Sequence, residues 1–214
     1  MRKALTHLKK SDPVMRGLIE RVGPYRMTYR EPTFHSLARA IAYQQLNGKA
    51  AETIFGRFTA LAGDPLMPEG ILKLTQEQMR AVGLSKQKSS YLVDMAERAS
   101  RGELDFLRVP NMSDDEVIEH LSQVKGVGVW TAHMFLMFTL RRPNVLPTGD
   151  FGIRMAIFRH YLDKKRAKSS SSKKRKRNIK LPTPLQMEKI AKCWEPYRSV
   201  ACWYLWRSLD VSTP

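Results

Sequence analysis

The sequence predicts an all-α protein, and three observations carry that prediction. Apolar residues recur at helical intervals over most of the chain, strict period-two alternation is scarce, and the periodic stretches are short and tightly joined. Phe34, Leu37 and Ile41, then Ala50, Ile54 and Phe58, repeat every three or four residues, with Asn47-Gly48 between them as a break. This predicts two helices or one kinked helix. The same spacing returns in "TQEQMRAVG" and "SKQKSSYLVDMAERAS". In "SDDEVIEHLSQV", Ser113 followed three residues later by Glu116 forms a capping box, which marks a helix start. "WTAHMFLMFTL" is apolar nearly all round and predicts a helix buried in the centre of the fold; at 11 residues it is too short to span a bilayer. "DFGIRMAIFRHYL" continues the helical pattern. "PLQMEKIAKCWEPYRSVACWYLWRSL" does too, with an interruption at Glu195-Pro196 because a residue preceding proline is pushed out of the α region.

Charge and cysteine content narrow the function classes. The chain has 37 basic and 20 acidic residues, a net charge of +17, which points to a polyanionic partner. Ten of the basic residues lie in the acid-free run "KKRAKSSSSKKRKRNIK", residues 164–180, so the remainder carries 27 against 20, or +7. That run is Ser-rich and strongly charged. It predicts a flexible basic loop, either a solvated linker or an arm that adds nonspecific phosphate contacts. Two cysteines, Cys193 and Cys202, provide neither a disulfide framework nor a zinc pattern nor the four thiolates of an iron-sulfur cluster. No secretory-type apolar segment and no run of about 20 apolar residues is present, so a soluble, DNA-associated intracellular protein without a membrane partner is expected.

The stretch "VKGVGVWTAH" places Gly126 and Gly128 at the mouth of an apolar helix. Glycine permits positive φ and a bare backbone. The first N–H groups of a helix lack intrahelical partners and carry a partial positive charge suited to a phosphate oxygen. The plainer reading is a helix–helix turn with a glycine cap. Twenty residues beyond Trp130, Asp150 follows Pro147-Thr148-Gly149 and precedes a helix, a position that by itself describes an N-cap.

Taken together, "VKGVGVWTA" and "PTGD" at this spacing resemble the helix-hairpin-helix, Gly/Pro-rich, Asp superfamily of DNA glycosylases. "DPVMRGLIERVGP", "FHSLARAIAYQQLNGKAAETIFGRF", "VGLSKQKSSYLVDMA" and "WEPYRSVACWYLWR" are similar to its alkylpurine branch, the DNA-3-methyladenine glycosylase II family, so the resemblance covers most of the chain outside the basic loop. It implies a two-lobed helical fold with the substrate cleft between lobes. One lobe would span residues 34–146 with the hairpin at about 113–140, and the other residues 1–33 plus 147–214.

The resemblance also implies the chemistry. A base inside a duplex is reached only by flipping its nucleotide out, at a cost of a few kcal/mol. Gln45 and Leu46 match the family's intercalating wedge, although by pattern alone Leu46 reads equally as core at a helix end. Gly126, Gly128 and Thr131 would contact phosphate, and backbone carbonyls of Ser122, Lys125 and Val127 would hold a monovalent cation (Na⁺ or K⁺), with no other cofactor required. Trp130, Trp206 and Met134 would line the base pocket; Met134 stands where some relatives place an aromatic residue. Trp203 reads as core. An alkylated purine is cationic, so aromatic faces attract it by roughly 0.5–2 kcal/mol. Asp150 would be the catalytic carboxylate, stabilising positive charge on the sugar or aligning water. Superfamily members that also cut the strand carry a lysine two positions after the second hairpin glycine; here that position is Trp130, which implies a monofunctional glycosylase. The expected partner is double-stranded DNA bearing damaged purines, bound by a monomer. Two other readings remain open from the sequence: a noncatalytic helix-hairpin-helix DNA-binding protein, and a glycosylase for neutral deaminated bases.

Overall fold

The computed structural model describes residues 1–46, 48–163 and 180–210. The predicted basic loop therefore lies, except for Lys180, outside the described residues. Twelve α-helices follow in order among the described residues: α1 (Arg2–Ser11), α2 (Pro13–Val22), α3 (Phe34–Tyr43), α4 (Gly48–Ala62), α5 (Pro68–Leu72), α6 (Gln76–Ala81), α7 (Lys86–Ser100), α8 (Asp114–Ser122), α9 (Val129–Phe138), α10 (Phe151–Ile157), α11 (Pro184–Ala191) and α12 (Arg198–Asp210). Short 3₁₀ turns occur at Val109–Asn111 and Lys192–Trp194, and a π-helical turn, Phe158–Leu162, continues α10. No strand occurs among the described residues. The all-α prediction holds, and the start signals that announced it act as expected. Ser113 and Glu116 make the reciprocal capping box of α8, and Thr75 with Gln78 makes another on α6. The pattern in "PLQMEK…" divides into α11 and α12 around Glu195-Pro196.

The described chain falls into two compact units. One comprises Thr28–Arg141 and so contains α3 to α9. Its core gathers Leu37, Ile41, Phe58, Leu92, Met95, Leu121, Phe135 and Leu136, all essentially inaccessible. The last helix of this unit differs from expectation. Ala132, Phe135, Leu136 and Met137 are buried, but Val129 is 54% and Trp130 44% exposed, so the apolar first turn of α9 faces outward. Such exposure of large apolar side chains requires a reason other than core packing.

The other unit joins Met1–Met27 to Arg142–Pro214 and contains α1, α2 and α10 to α12. Its two chain segments are tied together by buried polar groups. Asp12 caps α2 by accepting from Val14 N–H (2.8 Å) and Met15 N–H (3.0 Å), and its second oxygen accepts from Tyr161 Oη–H and Trp194 Nε1–H, both at 2.7 Å. Burial and the neighbouring Asp12 charge push the Tyr161 hydroxyl well above its ordinary range, so it serves as a donor. Trp203 is 6% exposed and stacks at a tilt on Tyr25 with ring centres 4.8 Å apart, so its place is in the core.

Candidate active site

The hairpin between α8 and α9 is built by two glycines with different tasks. Gly126 has φ +77°, and a Cβ there would come within 2.1 Å of the Tyr91 ring, so only glycine fits. Gly128 has φ −98° and nothing within 4 Å of a Cβ position; its bareness serves no neighbour inside the protein. It is the N-cap of α9 and contributes no capping side chain. The first intrahelical bond of α9 runs from Ala132 N–H to Gly128 O, which leaves the preceding N–H groups at the positive end of the helix dipole.

Two side chains distant in sequence hold this turn, and neither was legible in the residue pattern. Asp94 of α7 accepts from Lys125 N–H (2.9 Å) and pairs with Arg98 Nε (3.2 Å) and Lys125 Nζ (3.4 Å). Burial alone would raise the Asp94 carboxyl, but the Lys125 N–H and Arg98 outweigh it and hold the group below its ordinary range. Gln44 Nε2 donates to Gly126 O (2.9 Å) and to Thr131 Oγ1 (3.2 Å). Thr131 is 4% exposed and its hydroxyl is turned to Gln44, so the side chain is an internal strut of the hairpin and its backbone N–H is the group suited to a phosphate. The turn's own backbone bonds end on the carbonyls of Leu121 and Val124, and Gln44 uses that of Gly126. The carbonyls of Ser122, Lys125 and Val127 take no part in these bonds, and carbonyl oxygens are suitable donors for a hard cation. No cluster of three metal-ligating side chains occurs among the described residues.

In the same unit, the chain turns sharply where α3 ends. Gln45 has φ +57°, a left-handed conformation uncommon outside glycine, and both Gln45 and Leu46 are exposed, Leu46 at 38%. Leu46 is not core. Met134, one turn after Trp130 on α9, is half-buried.

Asp150 and Trp206 lie in the other unit. Pro147 O accepts from Asp150 N–H (2.9 Å), and Ser199 fixes the preceding segment by donating to Arg142 O (2.7 Å) while accepting from Val145 N–H (3.0 Å). Asp150 is the N-cap of α10: Oδ1 accepts from Ile153 N–H at 2.8 Å. The same oxygen accepts from Trp206 Nε1–H at 2.9 Å. The carboxylate is only 8% exposed, and its orientation is set by two donors on one oxygen. Trp206, on α12, is partly exposed, so the indole has a polar tie at one edge and accessible surface elsewhere. Gly152 makes this possible. A Cβ there would stand 3.0 Å from Trp206 Cδ1, 3.1 Å from Asp150 Oδ1 and 3.2 Å from Trp206 Nε1. Cys202 is fully buried on α12; burial foremost, then the Asp150 charge, pushes its thiol well above the ordinary range, so it remains protonated.

An all-helical chain with a glycine hairpin that bares a helix N-terminus, and with a fixed aspartate after a Pro-Thr-Gly loop, is a helix-hairpin-helix protein of the DNA-repair type. Residues 38–184 match the HhH-GPD superfamily of base excision DNA repair proteins, and the chain belongs to that family. It is 36% identical over 217 residues to DNA-3-methyladenine glycosylase 1 of Schizosaccharomyces pombe, covering 98% of this chain and 88% of that protein. It is 34% identical over 203 residues to the DNA-3-methyladenine glycosylase of Saccharomyces cerevisiae, covering 86% of this chain and 69% of that one. Among solved structures it is similar to the S. pombe 3-methyladenine DNA glycosylase in complex with abasic DNA, with TM-score 0.80, 34% identity and 98% of each chain covered.

Proposed function

We propose that the chain is a monofunctional DNA glycosylase that excises alkylated purines of the 3-methyladenine class from duplex DNA in base excision repair. The observation that carries this reading is the Asp150 carboxylate, nearly buried and held on one oxygen by Ile153 N–H and Trp206 Nε1–H. Capping α10 needs only the bond to Ile153 N–H; the second tie, from the partly exposed Trp206 indole, fixes the carboxylate beyond what a cap requires, and a protein that only gripped DNA has no use for a negative charge so positioned that repels phosphate.

The hairpin of Gly126 and Gly128 takes the phosphate backbone through the N–H groups at the start of α9, and a monovalent cation held by the carbonyls of Ser122, Lys125 and Val127 would add positive charge there. Leu46 with Gln45 enters the gap left by the flipped nucleotide, replacing lost stacking with apolar contact. The exposed indole of Trp130, with Met134 one turn further along the same helix, offers a face on which a cationic base stacks. In the other unit, the partly exposed indole of Trp206 is a face of the same kind. The C1′–N bond then breaks with its electron pair passing to the base, which leaves neutral because the alkylated ring was already positive. Positive charge develops on the sugar, where the Asp150 carboxylate stabilises it and aligns water. Water adds to C1′, its proton passes to solvent, and free base plus an abasic sugar remain.

Trp130 occupies the position where strand-cutting relatives carry lysine, and an indole cannot form a Schiff base with the sugar. The test is release of free methylpurines from methylated duplex DNA, with strand breaks and borohydride-trapped adducts followed separately. Base release with neither breaks nor trapped adduct is the expected result. Trapping would refute the monofunctional reading, and DNA binding without base release would refute the glycosylase.

A further inference from the structure

The Gln45-Leu46 turn and the phosphate-binding hairpin are separate in sequence, yet one side chain joins them. Gln44 is the C-cap of α3, and beyond it the chain swings outward through the left-handed Gln45 to exposed Leu46. Its Nε2 spans 82 and 87 residues of sequence to reach Gly126 O and Thr131 Oγ1. Both acceptors are tied to the body of the unit: Gly126 is packed against the Tyr91 ring next to Lys125, whose N–H is held by Asp94, and Thr131 is buried in the first turn of α9. On the other side, Lys88 Nζ donates to Ala42 O at 2.8 Å and fixes the last turn of α3 just before the bend. Burial lowers the Lys88 ammonium from its ordinary range without changing its role as donor.

We propose that Gln44 is a positioning residue that sets the register between the phosphate gripped at the hairpin and the side chain inserted at Leu46. The inference rests on the proposed roles of the hairpin and the wedge. A hairpin that holds the backbone specifies where the duplex lies, but insertion at one base step also needs a defined distance from that grip to the wedge. Gln44 supplies this distance through a planar amide whose two N–H groups meet acceptors on either side of the turn. The left-handed Gln45, uncommon for a non-glycine residue, turns the chain outward within three residues of the tie.

The test uses Gln44→Met, which keeps volume and loses the donors, together with Leu46→Ala and the double variant. Single-turnover base release, fluorescence of 2-aminopurine beside the lesion as a measure of flipping, affinity for undamaged duplex and thermal midpoint are read for each. Gln44→Met should slow flipping and release about tenfold, the equivalent of one net hydrogen bond. Undamaged-duplex affinity should fall by less than the rate, because Asp94 still holds the hairpin through Lys125. If Gln44 acts through the wedge, the double variant is no slower than Leu46→Ala alone. Losses that multiply, or a Gln44→Met effect confined to the thermal midpoint, overturn the proposal. Leu46→Ala that flips and releases normally overturns the wedge reading and the proposal with it, an outcome distinct from multiplicative losses. Thr131→Val, which removes one acceptor, should reproduce part of the Gln44→Met defect; wild-type flipping in both would also overturn it.

Discussion

Gly152→Ala isolates the bond between Trp206 and Asp150 without touching either residue. The added methyl would lie 3.0 Å from Trp206 Cδ1 and 3.1 Å from Asp150 Oδ1, so the indole or the carboxylate must move by a few tenths of an ångström. Residue 152 sits in the first turn of α10, where alanine is favoured over glycine by about 1 kcal/mol. That gain and the local crowding oppose each other, so global stability should change little. The site has no such compensation. A hydrogen bond from an N–H to a carboxylate contributes about 1.5–3 kcal/mol, and losing roughly half of it where charge develops on the sugar corresponds to a rate loss of about three- to tenfold. The assay is single-turnover release of methylpurine at saturating enzyme, alongside the thermal midpoint. Release within twofold of wild type would show that the Trp206 tie does not position Asp150 for chemistry.

Four further outcomes follow from the same structure. Gly126→Ala should destabilise the protein by ~2–5 kcal/mol through the left-handed backbone and the Tyr91 overlap, read as a lowered thermal midpoint. Gly128→Ala should lower the midpoint only slightly, because alanine is a poorer N-cap than glycine while the backbone is ordinary and the space open, and should weaken duplex binding. Asp94 has a carboxyl held below its ordinary range, so its contribution to stability is complete above the unfolded-state value of about 4 and is lost as pH falls through the folded-state value. Asp94→Asn should therefore be less stable than wild type at neutral pH, and the difference should shrink below about pH 4 in denaturant titrations. Trp206→Phe, which keeps an aromatic face and removes the N–H, should slow release more than it weakens binding of a methylated duplex, read as a fall in kcat with a smaller change in KM.

Much of the helical order was legible because each start signal is local. Ser113 with Glu116 lies within one turn, and Asp150 announces α10 by standing between a Pro-Thr-Gly loop and an apolar stretch. The ties that give the site its geometry were not legible. Gln44 and Asp94 are ordinary polar residues in helical patterns, and their acceptors and donors lie 82 and 31 residues away. Gly152 reads as a weak point in a helix until the Trp206 indole is seen against it. The periodic pattern also misjudged the start of α9. Apolar composition predicts burial, but it does not separate side chains packed in the protein, such as Phe135, from those such as Trp130 that are presented outward. The sequence boundaries at 34 and 146 follow the family resemblance, whereas contacts divide the chain after Met27 and after Arg141.

The most direct test of the account is methylpurine release by Asp150→Asn. Asparagine keeps an oxygen to cap α10 and accept from Trp206, while losing the negative charge, so folding and affinity for an abasic-site duplex should be retained. Removing a preorganised electrostatic group typically costs about 10²–10³ in rate, and release should fall by that amount. Release at the wild-type rate would contradict the assignment of Asp150 as the catalytic carboxylate.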